Sequence, residues 1–128
     1  MSAKKRPSRE RPPLVKVAEE MKAWSSALSA EVETWPQVGA KSMFGMTGIY
    51  RKKRIFAALP RTRAFGSGNS VAFKVEGAGK RLLAELEKDP HVTNTIMQAT
   101  RWLTYELETD QDLHAALHWL SKAYELAK

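Results

Sequence analysis

The chain has 128 residues, a formal net charge of +7, 43% hydrophobic and 27% charged residues, the length and balance of one soluble domain. It contains no cysteine, which excludes disulfide staples, thiol nucleophiles and thiolate metal sites. No stretch approaches the roughly 18 apolar residues of a membrane span, and Pro12-Pro13 stand where a signal peptide would need an apolar run, so a cytoplasmic protein without membrane contact is expected.

Residues 1–13 are rich in Lys, Arg, Ser and Pro and carry no large apolar residue beyond Met1. Such a segment buries too little surface to offset its ordering entropy, and it is predicted to be a disordered basic tail ahead of a single domain over 14–128. From Leu14 the pattern turns helical. Leu14, Val17, Met21, Trp24, Leu28 and Val32 recur at spacings of three and four. Pro13 suits a first helical position, and Pro36 disfavours helix at Trp35, so the helix should end near residue 34.

A β region follows. Met43–Tyr50 contains Gly45, Thr47 and Gly48, and after Arg51-Lys52-Lys53 comes a second apolar run, Arg54–Leu59. Two such runs around a short polar link predict a hairpin. Residues 60–69, PRTRAFGSGN, have the composition of a loop. Val71, Phe73 and Val75 alternate with Ala72 and Lys74, a third strand. Leu82, Leu83 and Leu86 mark one face of a short helix over 78–88, closed by Asp89-Pro90. Residues 91–100 give no clear pattern. Trp102 introduces a fourth strand, with Leu103, Tyr105 and Leu107 alternating. Thr109 with Asp112 approximates a capping box, and Leu113, Ala116, Leu117, Leu120 and Tyr124 trace one face of a final helix. Strands that cluster instead of alternating with long helices predict an α+β fold, with a largely antiparallel sheet of about four strands and helices on one face.

No catalytic or metal-binding residue emerges. His114 and His118 are neighbours on the last helix, but they fall on its solvent side, Ala115 stands where a zinc protease has Glu, and no third ligand is evident. Glu76-Gly-Ala-Gly-Lys80 follows a strand and opens a helix, yet Lys74 and Arg81 occupy positions where a phosphate loop needs Gly and Ser or Thr. There is no G-x-S-x-G elbow. The expectation is a non-enzymatic binding or regulatory domain without cofactor.

Charge is the informative feature. Residues 34–75 hold eight basic side chains and no acid, whereas 13–33 and 76–128 are net acidic. Arg51, Lys52, Lys53 and Arg54 form the hairpin tip, and Arg61 and Arg63 follow the second strand. The two groups are then separated by about five residues, roughly 17 Å at strand spacing, a geometry suited to a polyanion backbone. These six residues are the candidate nucleic-acid-binding set, with Tyr50 and Phe65 as candidate stacking partners. The alternative is a protein-interaction domain, a homodimer joined through an exposed strand or the final helix. On that reading the cations guard a sheet edge.

Three stretches together resemble a known group. SMFGMTGIY at 42–50, running into RIFAALP at 54–60, resembles the hairpin of the TfoX N-terminal domain and the related MmcQ/YjbR-like proteins, and VAFKV at 71–75 resembles their next strand. The WLTYEL of 102–107, Asp112-Leu113, Trp119-Leu120 and the AYEL of 123–126 resemble an ending these proteins share with the luciferase-domain family. The resemblance implies a compact frataxin-like or YjbR-like α+β fold and a double-wing arrangement suggested to bind DNA. It implies no catalytic residues.

Overall fold

The computed structural model describes residues 14–65, 67–93 and 102–128. Its elements in chain order are β1 (Leu14–Lys16), α1 (Glu19–Val32), β2 (Val38–Met43), β3 (Met46–Arg51), β4 (Arg54–Pro60), β5 (Arg63–Phe65), β6 (Ser70–Lys74), α2 (Lys80–Lys88), β7 (Val92–Thr93), β8 (Trp102–Glu106) and α3 (Asp112–Leu126). The expected α+β class with an antiparallel sheet is the one observed. Among the described residues the main sheet has six strands in the order β2-β3-β4-β6-β8-β7, every neighbouring pair antiparallel.

Two expectations need correction. The first helix starts at Glu19, because Leu14–Lys16 instead pairs with β5 as a small separate ribbon. Val17 and Ala18 continue this docking, donating their N–H groups to the carbonyls of Thr62 and Gly68. Tertiary hydrogen bonds thus take three residues that the helical spacing had claimed, and Glu19 and Glu20 lie in the first turn, where carboxylates favour a helix start. The second correction is the strand count. β2 and β7 join the sheet at its two edges, and β5 forms inside the stretch expected to be loop. The segment left unpatterned, 91–100, contributes β7, and its part from residue 94 on lies outside the described residues, as does the tail at 1–13.

The helices cover one face. Met21, Trp24, Leu28 and Val32 of α1 and Ala116, Trp119, Leu120 and Ala123 of α3 pack on Ile49, Phe56, Val71, Phe73 and Tyr105, with Leu86 of α2 in the same core. On the opposite face a smaller cluster, Met46, Ala58, Phe65 and Ala72, packs with Trp102. A bulge between β3 and β4 at Ile49/Tyr50 explains why Phe56 and Ala57 both enter the helix side, where simple alternation would divide them. Polar handles fix the layers: Trp24 Nε1 donates to Asp110 at 2.6 Å, Trp119 Nε1 to Asp89 at 2.9 Å, and Ser25 Oγ to the Pro60 carbonyl at 2.5 Å. No helix among the described residues is long and apolar enough to cross a membrane.

Candidate functional site

The six predicted cations divide into three situations. Arg51 is turned into the molecule. Its Nη1 donates to the Tyr124 carbonyl at 3.0 Å, and its guanidinium lies 4.2 Å from the Tyr124 ring centroid. It therefore closes the last turn of α3, whose end carbonyls carry partial negative charge. Lys52, Lys53 and Arg54 are exposed at the β3–β4 link. Arg61 and Arg63 are exposed at the other end of β4. They are held there by their backbones, since the Gly45 carbonyl accepts the N–H groups of Arg61, Thr62 and Arg63 at 3.1, 2.8 and 3.1 Å. The Arg61 guanidinium reaches Ser42 Oγ at 2.5 Å. Lys16 pairs in register with Arg63 and adds a further exposed cation to that end.

The two groups stand apart by the length of β4, seven residues or about 20 Å. Between them the helix-free face carries Lys41, whose Nζ lies 5.4 Å from the half-buried Tyr50 ring. Near the Lys52–Arg54 end, β4 and β6 pair only at Ala57↔Phe73 and Ala58↔Ala72. A groove of about 440 Å³ opens beside that short pairing, with Lys53, Arg54, Lys74 and Glu76 among its polar lining and Ile55, Phe56 and Leu126 among its apolar lining.

Electrostatically this half of the protein is almost uncompensated. Among the described residues, the eight cations of 34–75 make one ion pair, Lys74 to Glu76 at 3.2 Å. No carboxylate is present in their own segment to neutralise them. Fixed positive charge of this kind raises the local concentration of polyanions.

The stacking candidates fare differently. Phe65 is only 8% exposed, inside the smaller core, so it offers no free ring face; that expectation is corrected. Tyr50 keeps partial access. Phe44, at the β2–β3 link, is 60% exposed.

A second polar cluster surrounds His91. Its Nδ1 donates to the Glu106 carbonyl at 2.8 Å, its ring stacks on Tyr105, and its Nε2 is 4.0 Å from Asp112. The Glu106 hydrogen bond raises the His91 pKa, as do the nearby Asp112, Glu108 and Asp89 carboxylates, against the opposing effect of burial. The Glu108 and Thr109 N–H groups hold the Asp112 carboxyl below its ordinary value. Burial, then the same carboxylates, pushes Tyr105 up to about 12. Asp89 accepts from Trp119 and from the His91 N–H. These bonds tie the α2–β7 link to β8 and the start of α3, so the cluster is a latch between elements. His114 and His118 are exposed, as the helical wheel places them.

Compared with protein-family models, curated proteins and solved structures, the chain matches none.

Proposed function

We propose that the protein is a non-enzymatic module that binds nucleic acid through its hairpin half, without sequence preference. One observation carries the reading: eight cations and no carboxylate over 34–75, with exposed groups at both ends of β4. Lys52, Lys53 and Arg54 contact phosphates at one end, and Arg61 and Arg63 at the other. Arg51 belongs to the fold. A separation of about 20 Å corresponds to about six base steps at 3.4 Å each. The resemblance to TfoX N-terminal and YjbR-like domains is part of this proposal and points the same way.

Five phosphate contacts give a slope of log affinity against log salt of about −3.5 for a single strand and about −4.5 for a duplex. Fluorescence anisotropy with labelled duplex and single-stranded DNA across a salt series tests this. No binding at about 50 mM salt, or a flat slope, ends the reading. A homodimer through an exposed strand has one feature in its favour, the outer edge of β2, which pairs with no strand among the described residues. Antiparallel self-pairing there would bring Lys41 near its own copy, and like charges across strands destabilise. A salt-insensitive dimer in sedimentation, with no affinity for DNA, would favour it nonetheless.

A further inference from the structure

The bulge that brings both Phe56 and Ala57 to the helix side also opens the sheet. β3 and β4 register at Ile49↔Ala57 and next at Tyr50↔Ile55, which leaves Phe56 without a register partner on β3. An extra residue of this kind bends its strand and disrupts the local ladder. On the other side of β4 the register with β6 stops at Ala57↔Phe73, although β4 reaches back to Arg54 and β6 runs on to Lys74. The two central strands of the sheet therefore part at this end, and the groove of about 440 Å³ lies where they part. Clefts that hold small molecules span about 300–1,000 Å³.

The lining defines the class of molecule. Ile55, Phe56 and Leu126 give it an apolar wall, while Lys53, Arg54 and Lys74 bring three positive charges against the one carboxylate of Glu76. Glu76 is set at the rim by the turn after β6, which the Ala78 N–H closes on the Val75 carbonyl at 3.0 Å with Gly77 at φ 88°. It pairs there with Lys74 at 3.2 Å. The last turn of α3 also borders the groove, but its negative end already has Arg51 on the Tyr124 carbonyl. Three cations less one carboxylate leave the lining at +2. A phosphate monoester carries about −1.5 to −2 at pH 7 and matches that charge, whereas a carboxylate supplies half of it. We infer that this groove binds a small organic phosphate monoester, its head on Lys53, Arg54 and Lys74 and its apolar body against Ile55, Phe56 and Leu126. The site shares Lys53 and Arg54 with the proposed nucleic-acid surface, but Lys74 and the apolar wall are its own, so it does not rest on that reading.

The test titrates the full chain with 1-naphthyl phosphate, 1-naphthoate and inorganic phosphate, followed on the backbone amides by two-dimensional NMR. 1-Naphthyl phosphate is expected to bind at about 0.5 mM or tighter, the affinity usual for its roughly 15 non-hydrogen atoms. Its shifts should centre on residues 53–56, 74–76 and 123–127. The other two should bind at least about tenfold more weakly, naphthoate for want of the second charge and phosphate for want of the apolar body. Lys74→Met should cost 1-naphthyl phosphate about tenfold. Glu76→Gln, at an exposed position, should tighten it about threefold, a gain that no loss of folding imitates. Lys22→Met removes the same charge from the exposed side of α1 and should change it by less than about twofold. The inference is overturned by no saturable shift at about 5 mM, by shifts centred elsewhere, or by naphthoate or phosphate binding as tightly as the ester. It is overturned equally if Glu76→Gln weakens binding or if Lys22→Met costs as much as Lys74→Met. In each of these cases the DNA salt series is decided separately.

Discussion

Arg51 offers the sharpest separation between folding and binding, because the sequence gives it the same appearance as its three neighbours. Arg51→Met keeps an apolar stem and removes the guanidinium. The bond from a charged donor to the Tyr124 carbonyl contributes about 1.5–3 kcal/mol, and the cation over the Tyr124 ring about 0.5–2 kcal/mol. Against this stands the Nε, which is buried without a hydrogen-bond partner at a cost of about 1–3 kcal/mol and disappears in the variant. The balance leaves a loss of about 2 kcal/mol. At this chain length that lowers the melting temperature by about 6–10 °C. The effect should spread through the ring cluster, because Tyr124 also meets Trp35 and Phe56 edge-on and donates its hydroxyl to the Pro36 carbonyl. Thermal melts followed by circular dichroism, paired with anisotropy titrations, read both properties. Lys53→Met is the comparison: it should melt within about 2 °C of the parent and reduce the salt slope by about one. If Arg51→Met melts like the parent and loses as much affinity as Lys53→Met, Arg51 faces outward and the division of the cations is wrong.

Two further outcomes follow from the geometry. The His91 pKa is raised above 6.5 in the fold, so its stabilisation is fully present below that value and is lost as pH rises through the folded pKa. Melts across that window should fall for the parent and lose this step in His91→Gln, and an identical pH profile in the two would dissolve the latch. Gly68→Ala places a methyl carbon 2.6 Å from the Lys16 carbonyl oxygen, beside the bond from the Ala18 N–H to the Gly68 carbonyl. A loss of about 2 kcal/mol in urea unfolding is expected, and an unchanged midpoint would mean that this loop does not dock on the β1–α1 junction.

Much of the architecture was legible because burial is periodic. The Met21-Trp24-Leu28-Val32 stripe is both the sequence signal and the buried face of α1. That same spacing misled at Leu14 and Val17, since a ribbon pairing with β5 leaves no trace in local periodicity. β2 was hidden for a different reason. Val-Gly-Ala-Lys-Ser-Met contains few strong β formers, and its residues lie largely exposed at a sheet edge, so neither propensity nor alternation marks it. That omission hid the turn that follows it as well. Phe44-Gly45 is anomalous only once it is known to be a two-residue link between strands, where Asn-Gly or Asp-Gly is the expected pair. The charge asymmetry needed no structure, but the inward turn of Arg51 did. Arg51 and Arg54 are register partners at the end of one hairpin, and only the position of the α3 terminus distinguishes them.

Phe44 before β3 and Lys52 after it both take positive φ, 50° and 58°, and at Lys52 the consequence is measurable. It closes the link between Arg51 and Arg54 with φ at 58°, and its N–H donates to the Gln37 carbonyl at 2.9 Å. A left-handed conformation costs a non-glycine residue about 1–2 kcal/mol, while glycine adds about 0.5–1 kcal/mol of chain entropy to be lost on folding. Lys52→Gly should therefore stabilise the protein by about 0.5–1 kcal/mol, while removing one phosphate contact and about 0.7–0.9 from the salt slope. Lys53 is absent from the positive-φ residues, so Lys53→Gly should lose the same slope and become less stable. Opposite signs of stability with equal losses of binding would mean that the tip keeps a lysine for its charge against the preference of its backbone. If Lys52→Gly melts below the parent, the turn stores no strain; if its slope is unchanged, no polyanion reaches the tip.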